Sequence, residues 1–264
     1  MTRILIVEAN TPTLVSRGLS GSWPFVRTLA AVEPQAEAIL RNPFAKPLNS
    51  SDLDAIDGVI FTGGAEKWAV VAPEVAPQRD AMDLVLSHRL PVWGSCNGMQ
   101  LAALALGGMI EASDNGLEVG LAKHITLTNE GANHPMMSGR CSTFAAPCVH
   151  RDQITELPSQ ATLLAGNAHT RVQAFAINSD GVDVWATQYH PELGLSDVVD
   201  YIEAGGMFGL FSDHLQDLRS VAEDPNKANQ IGATPADLAF ENRTREFANW
   251  LRHVEAFRLR RDAA

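Results

Sequence analysis

Residues 90–106, LPVWGSCNGMQLAALAL, carry the pattern that decides the fold. An apolar segment leads into a cysteine flanked by Gly94 and Gly98, and a second apolar segment follows directly. A strand, a sharp turn and a helix in that order form a nucleophile elbow, in which the turn exposes one reactive side chain at a sheet edge. Glycine tolerates strained backbone, so we expect the flanking glycines to relieve this turn. The pattern predicts that Cys96 is a nucleophile whose thiolate is favoured by the helix N-terminus. The alternative is a structural cysteine buried in a tight turn.

A histidine and a glutamate follow a second predicted strand. Residues 182–187, VDVWAT, alternate apolar and polar side chains and are rich in strand-forming residues. His190, just after this strand, can act as a base toward Cys96 and then as an acid toward a leaving amine. Glu192 can accept the other imidazole proton and orient the ring. The sequence therefore predicts a Cys-His-Glu catalytic triad.

A third motif supplies backbone donors. Residues 57–64, DGVIFTGG, read as a short apolar strand that ends in two glycines. Such a loop can bring the N–H groups of Gly63 and Gly64 close to a substrate oxygen. With the N–H of Asn97 they would form an oxyanion hole for a tetrahedral intermediate. The alternative is that the two glycines only form a tight turn.

These motifs, in this order, resemble the class I glutamine amidotransferase domain of the triad type. The family has Gly-x-Cys-x-Gly-x-Gln at the elbow, a Gly-Gly loop before it, and His-Pro-Glu after a Gln-Ala-Phe strand. The resemblance covers about residues 1–195 and is greatest to free-standing relatives of the amidotransferase half of GMP synthase. It implies a three-layer α/β fold with an open, mostly parallel, flavodoxin-like sheet, and it implies that Gln100 helps to bind a substrate glutamine. The counterparts in this chain are residues 94–100, 63–64, 190–192 and 173–175.

The chain also departs from the family pattern near the predicted site. Ser95 and Asn97 stand where the family usually has apolar residues, and Arg151 stands where a small residue is common. The predicted triad is unaffected, so these departures bear on the shape of the pocket and on which amide is preferred. By resemblance, His150 and Asp152 line the pocket entrance; they are equally well explained as hydrogen-bonded loop anchors.

Strand-like and helical segments alternate in the first half of the chain. This alternation predicts parallel strands joined by crossover helices, with a site beyond the carboxyl ends of the strands. We divide the chain into an amidotransferase domain at 1–195 and a helical C-terminal extension at 196–264. In the extension we expect a helix from Ser196 to Gly205-Gly206, a loop or lid at 221–234, and an apolar helix stripe over 240–257. The stripe either packs on the sheet or docks a partner or second subunit. The predicted strands are 4–7, 59–62, 92–94, 125–128, 162–165, 172–177 and 184–187, and the clearest helices are 77–88 and 97–106.

Composition excludes several classes of function. The 264 residues carry a formal net charge of −11, which argues against binding nucleic acid or anionic membranes. The chain has no apolar run long enough to cross a bilayer and no signal-peptide pattern. Its three cysteines form no CxxC pair and suit a reducing cytoplasm. Without phosphate-loop, dinucleotide or His-Glu-x-x-His motifs, we expect no metal and no cofactor. We expect a solvated tail at the basic cluster of Arg258, Arg260 and Arg261. We expect most of the dispersed histidines to be surface or hydrogen-bonded residues; they are His124, His134, His150 and His169.

Three functions follow from these motifs. The first is a glutamine amidotransferase or glutaminase, which hydrolyses the side-chain amide of glutamine through a glutamyl thioester. It would release ammonia to an acceptor or to a synthetase partner, because the sequence shows no means of activating an acceptor itself. The second is a hydrolase of γ-glutamyl amides or peptides that uses the same triad. The third is a catalytically silent binding module.

Overall fold

A nine-stranded sheet organises the chain. The structure is a computed structural model that describes residues 1–204 and 212–263. In these residues the strands of the sheet lie in the order β2-β1-β3-β4-β11-β10-β9-β6-β7, while β5 and β8 form a separate two-stranded sheet. The strands are β1 Arg3–Val7, β2 Glu37–Arg41, β3 Gly58–Phe61, β4 Val92–Ser95, β5 Met109–Ala112, β6 Glu118–Leu127, β7 Thr143–His150, β8 Asp152–Glu156, β9 Thr162–Gly166, β10 Ala174–Ser179 and β11 Val182–Thr187. The α-helices are α1 Pro12–Ser16, α2 Ser22–Val32, α3 Ala76–Ser87, α4 Asn97–Ala105, α5 Asn129–Asn133, α6 Leu195–Glu203, α7 Ser212–Glu223, α8 Pro235–Leu238, α9 Phe240–Arg243 and α10 Arg245–Asp262.

The sheet changes from parallel to antiparallel at β11. Strands β2, β1, β3, β4 and β11 run parallel, which confirms the parallel arrangement predicted from the first half of the chain. Beyond β11 the pairings are antiparallel. The turn between β10 and β11 holds Asp180 and Gly181, both with positive φ, which is the backbone shape that closes a two-residue hairpin. A short hairpin of this kind obliges its two strands to pair antiparallel.

Helices cover both faces of the sheet, giving the three layers that the family resemblance implies. Successive strand residues point to opposite faces: Leu5 and Val59 pack in one apolar cluster, and Ile4 and Ile60 pack in another. The first cluster includes buried residues of α3 and α4, and the second includes buried residues of α2 and α10. The α/β fold is therefore as expected.

The C-terminal extension packs on this sheet. Phe247 and Trp250 of α10 lie against Trp93 of β4, with ring centroids 5.7 and 6.1 Å away. A Cβ on Gly58 would lie 2.9 Å from Val254 Cγ2, so only glycine allows α10 to approach β3 this closely. The apolar stripe thus faces the sheet, although Phe240 is exposed and the predicted single helix is broken into α8, α9 and α10. The division at residue 195 stays a prediction.

Two expectations for the extension were wrong. Residues 221–234, expected to be a loop or lid, contain the end of α7 and a 3-10 helix over Pro225–Ile231. Asp224 caps this 3-10 helix, and Ala228 and Ile231 are buried in an apolar cluster with α6. The tail is not simply solvated either, since Arg261 donates to Asp57 Oδ1 at 2.6 Å. The predicted end of a helix at Gly205-Gly206 lies outside the described residues.

In the residues that the structure describes, no helix combines the length and the hydropathy needed to cross a bilayer.

Candidate active site

Three neighbouring strand ends bring the predicted site residues together. The strands β3, β4 and β11 are adjacent and parallel, so their carboxyl ends meet at one edge of the sheet. Gly63 follows β3, Cys96 follows β4 and His190 follows β11. The Cys96 N–H donates to Thr187 O at 2.8 Å, and the Gly98 N–H donates to Thr62 O at 3.2 Å. These bonds hold the elbow between the other two loops.

The strain of the elbow lies on the cysteine itself. Cys96 has φ 48° and ψ −101°, a region that costs a non-glycine residue about 1–3 kcal/mol. Neither Gly94 nor Gly98 has a positive φ, so these glycines permit the sharp turn because they lack a side chain, not because of their own backbone angles. They are required for close packing. A Cβ on Gly94 would lie 2.9 Å from the Gly98 backbone, and one on Gly98 would lie 2.2 Å from Phe61 O.

His190 lies between an acid and the cysteine. Its Nδ1 is 2.7 Å from Glu192 Oε1, and both side chains are buried. Burial lowers the pKa of His190, but the charge of Glu192 and hydrogen bonds with Cys96 and Glu192 outweigh it and raise that pKa to about 10. The folded protein therefore favours the protonated form of His190. Gly63 completes the arrangement, because a Cβ there would lie 2.6 Å from His190 Cε1 and 3.6 Å from Cys96 Cβ.

Ser95 contacts the same acid. Its Oγ donates to Glu192 Oε1 at 3.0 Å and is 3.5 Å from His190 Nδ1, and the residue is fully buried. Sequence reasoning associated Ser95 with the shape of the pocket. The structure instead turns it toward Glu192, a contact between residues far apart in the chain that no local signal indicates.

Three backbone N–H groups lie in the loops next to Cys96. The N–H groups of Gly63, Gly64 and Asn97 make no backbone hydrogen bond outside regular elements within 1–204 and 212–263. Asn97 is the first residue of α4, where an N–H has no partner inside its own helix. A Cβ on Gly64 would lie 3.6 Å from Asn97 Cβ, so the Gly-Gly loop and the elbow are in contact. Their use as an oxyanion hole stays a prediction.

Two cavities meet at Gly64 and Val149. The first, here the Gln100 cavity, has a volume of about 40 Å³ and opens to solvent. Gln100 Nε2 donates to Asp152 O at 2.9 Å and to Gln188 Oε1 at 3.0 Å. The Oε1 of Gln100 is left as an acceptor. The second, here the Tyr201 cavity, has a volume of about 40 Å³, opens to solvent and is lined by His190, Glu192 and Tyr201. Besides Cys96 and Gln100, the Gln100 cavity is lined by Glu66, Trp68, Asn97, His150, Arg151 and Asp152.

The structure joins two histidines that appear dispersed in the sequence. His150 Nε2 is 2.8 Å from Glu118 Oε2, and His169 Nδ1 is 3.8 Å from the same oxygen. Burial raises the pKa of Glu118, but hydrogen bonds from His150 and Asn167 and the charges of the two histidines outweigh it, and the net shift is downward. Ligand atoms of Glu118, His150 and His169 lie within 4.8 Å of one another, close enough to be considered for a metal. Gln173 and Asn167 also donate hydrogen bonds to Glu118, at 2.8 and 2.7 Å, so both carboxylate oxygens already have partners in the protein. The cluster therefore anchors His150 beside the Gln100 cavity.

Comparisons with known proteins show the family to which the chain belongs. Residues 22–203 match the family model described as glutamine amidotransferase class-I. A γ-glutamyl-L-1-hydroxyisopropylamide hydrolase from a Pseudomonas species is 29% identical, over 96% of this chain and 92% of that protein. A glutamine-hydrolysing GMP synthase subunit from Thermoplasma acidophilum is 30% identical, over 55% of this chain and 68% of that protein. The crystal structure of a glutamine amidotransferase from Thermotoga maritima is 15% identical with a TM-score of 0.65, covering 96% of this chain and 97% of that one, and it supports the fold.

Proposed function

The chain belongs to the class I glutamine amidotransferase family, and from this premise we propose that Cys96, His190 and Glu192 hydrolyse γ-glutamyl amides through a glutamyl thioester. Membership makes the protein a cysteine-nucleophile amide hydrolase, as its motifs predict. Glutamine is the simplest amide of this kind. The observation that carries the assignment is the position of His190, which is hydrogen-bonded to Glu192 and lies with Cys96 beside Gly63 at the carboxyl end of the sheet.

The first chemical step uses the sulfur and the backbone donors. The sulfur of Cys96 reacts as a thiolate, which is the nucleophilic form of a cysteine. The thiolate attacks the carbon of the amide, and negative charge moves to the amide oxygen. The N–H groups of Gly63, Gly64 and Asn97 stabilise that charge.

The remaining steps pass two protons through His190, one to the leaving amine and one from water. His190 gives its proton to the nitrogen of the collapsing intermediate, the C–N bond breaks, and the amine leaves the glutamyl thioester. The neutral imidazole then takes a proton from a water molecule that attacks the thioester. Glutamate leaves, the thiolate is restored and His190 is again an imidazolium. Glu192 orients the ring and stabilises its charge in both halves of the reaction.

The Gln100 cavity suits the glutamyl part of the substrate. It begins at Cys96 and is bounded by Gln100, whose Oε1 can accept a hydrogen bond from the substrate. Glu66 and Arg151 also line it, and their charges are opposite to those of an α-ammonium and an α-carboxylate. We propose that the amino-acid end of the substrate binds between them.

A second candidate function is ammonia supply to a synthetase. The Thermoplasma GMP synthase subunit supports it, but that match covers 55% of this chain, whereas the Pseudomonas hydrolase matches 96% of it. The longer match includes the C-terminal extension and favours free-standing hydrolysis. The protein has free thiols at Cys96, Cys141 and Cys148, which supports a reducing, cytoplasmic location.

Covalent trapping tests the nucleophile. A diazoketone analogue of glutamine should alkylate Cys96, and mass spectrometry of the digested protein should find the label on that peptide. The other two cysteines are internal controls: Cys141 is exposed, and burial raises the pKa of Cys148 well above the usual range. Cys96→Ala should take up no label and release no ammonia from glutamine while keeping its thermal unfolding midpoint. A label on Cys141 or Cys148, or turnover by Cys96→Ala, would refute the assignment.

A further inference from the structure

The Tyr201 cavity lies on the leaving-group side of the triad. His190 and Glu192 line it, whereas Cys96 and Gln100 line the Gln100 cavity, and the two cavities meet at Gly64. A departing amine must take its proton from His190. With the glutamyl part in the Gln100 cavity, any substituent on the amide nitrogen is therefore directed toward the Tyr201 cavity. This step rests on the proposed function.

The walls of the Tyr201 cavity are mostly apolar. Pro24, Ala65, Val149 and Leu193 form much of its surface. An alkyl group placed there would exchange water for apolar contacts, which is favourable in proportion to the area buried. Ammonia has no such group, so a wall of this kind offers nothing to glutamine itself.

The polar side chains in the cavity are already bonded to the protein. Asn10 Oδ1 accepts from the Ala65 N–H at 2.6 Å, and Asn10 Nδ2 donates to Leu19 O at 3.0 Å. The Tyr201 hydroxyl donates to Ser20 O at 2.9 Å. Among the described residues that line the cavity, the charged groups are His190 and Glu192, and these are paired with each other. A second carboxylate or ammonium on the leaving amine would find no partner of opposite charge.

We propose that the Tyr201 cavity is a subsite for the alkyl part of a small, uncharged amine, so that the preferred substrates are γ-glutamyl alkylamides. Amines that carry a second charge are disfavoured because that charge loses water without gaining a partner.

Four γ-glutamyl amides test this subsite in steady-state kinetics. They are glutamine, the ethylamide, the amide of γ-aminobutyrate and the monoamide of putrescine. The last three are secondary amides of an alkyl chain and differ in the charge at the end of that chain. Differences in kcat/KM between them therefore report on the subsite. We expect kcat/KM for the ethylamide to exceed that of both charged amides roughly tenfold or more, and to exceed that of glutamine.

A pair of lysine variants sharpens the test. Ala65→Lys puts a cation at the cavity wall and should raise kcat/KM for the γ-aminobutyrate amide relative to the ethylamide, by about fivefold. Ala69→Lys makes the same change four residues away, at a residue that does not line the cavity, and should leave the ratio unchanged. Trp68→Ala, in the Gln100 cavity, should lower kcat/KM for all four amides by the same factor.

The outcomes separate this inference from the function on which it rests. Hydrolysis of glutamine with no gain for the ethylamide, or a preference for either charged amide, would overturn the subsite while leaving the amidase intact. An equal effect of Ala65→Lys and Ala69→Lys on the ratio would also overturn it. Failure to cleave any of the four amides would refute the proposed function itself.

Discussion

At the scale of single residues, Glu192 Oε1 accepts two hydrogen bonds, one from His190 and one from Ser95. A carboxylate held by a second donor keeps its position while the imidazole gains and loses its proton. Ser95 is thus a positioning residue, which acts on the reaction through Glu192 and His190 without touching the substrate.

Ser95→Ala is expected to lower kcat by about ten- to a hundredfold with little change in KM, because a hydrogen bond to a charged group is worth about 1.5–3 kcal/mol. Steady-state kinetics on glutamine across pH 6–10 would measure this. The pH dependence of kcat should also move, since the group lost contacts the acid that sets the pKa of His190.

Ser22→Ala is the matched control for Ser95→Ala. Ser22 is also buried, but its Oγ has no hydrogen-bond partner among the described residues. Its replacement should leave kcat and its pH profile unchanged. Equal losses in the two variants, or full activity and an unmoved profile in Ser95→Ala, would contradict a positioning role.

At the scale of elements, α10 is part of the structural core of the sheet. Its residues Phe247, Trp250 and Val254 are fully buried and share an apolar cluster with Trp93, which lies three residues before the predicted nucleophile. The helix therefore supports the strand that carries the elbow. This packing explains how a segment beyond the catalytic motifs stabilises the site.

Trp250→Ala should lower the free energy of unfolding by about 3–5 kcal/mol, as expected for removing a large buried aromatic side chain. Urea denaturation followed by far-UV circular dichroism would measure the loss. Leu259→Ala, on the same helix at a side chain that is 55% exposed, should change stability by less than about 0.5 kcal/mol. A separate early transition of α10 with the sheet intact would show that the helix does not share the core.

At the scale of the whole molecule, the buried His190–Glu192 pair links stability to pH. The ordinary pKa of histidine is 6.5, and the folded protein raises that of His190 to about 10. The folded state therefore binds this proton more tightly than the unfolded chain does. The resulting stabilisation is fully present below pH 6.5 and is lost as pH rises through 10.

The free energy of unfolding should consequently fall more steeply from about pH 6.5 to about pH 9.5 in the wild type than in His190→Gln. Urea titrations of both proteins at several pH values would give the two slopes. Groups that titrate in both proteins contribute equally to the two slopes, so the difference between the slopes reports on His190. Parallel slopes would show that the proton on His190 is not held by the fold.

Sequence alone determined the features that depend on neighbours in the chain. The strand, elbow and helix around Cys96, the strand before His190 and the glycine loop after β3 are each visible in a few residues, and their order identifies the family. The rule that parallel strands present their carboxyl ends at one edge then predicts that the three motifs meet. The sequence also indicates that the turn needs glycine at positions 94 and 98. The structure shows that the reason is close packing of the backbone and not a positive φ at these residues.

Only the tertiary structure decided the contacts between distant segments. Ser95 meets Glu192, Glu118 meets His150, and Arg261 meets Asp57 because strands and helices far apart in sequence are brought together. The same holds for the Tyr201 cavity, whose walls come from β7, from the loops after β1, β3 and β11, and from helices α2 and α6. Periodicity and motifs report only which face a residue presents. Which group it meets across that face depends on how the whole chain packs.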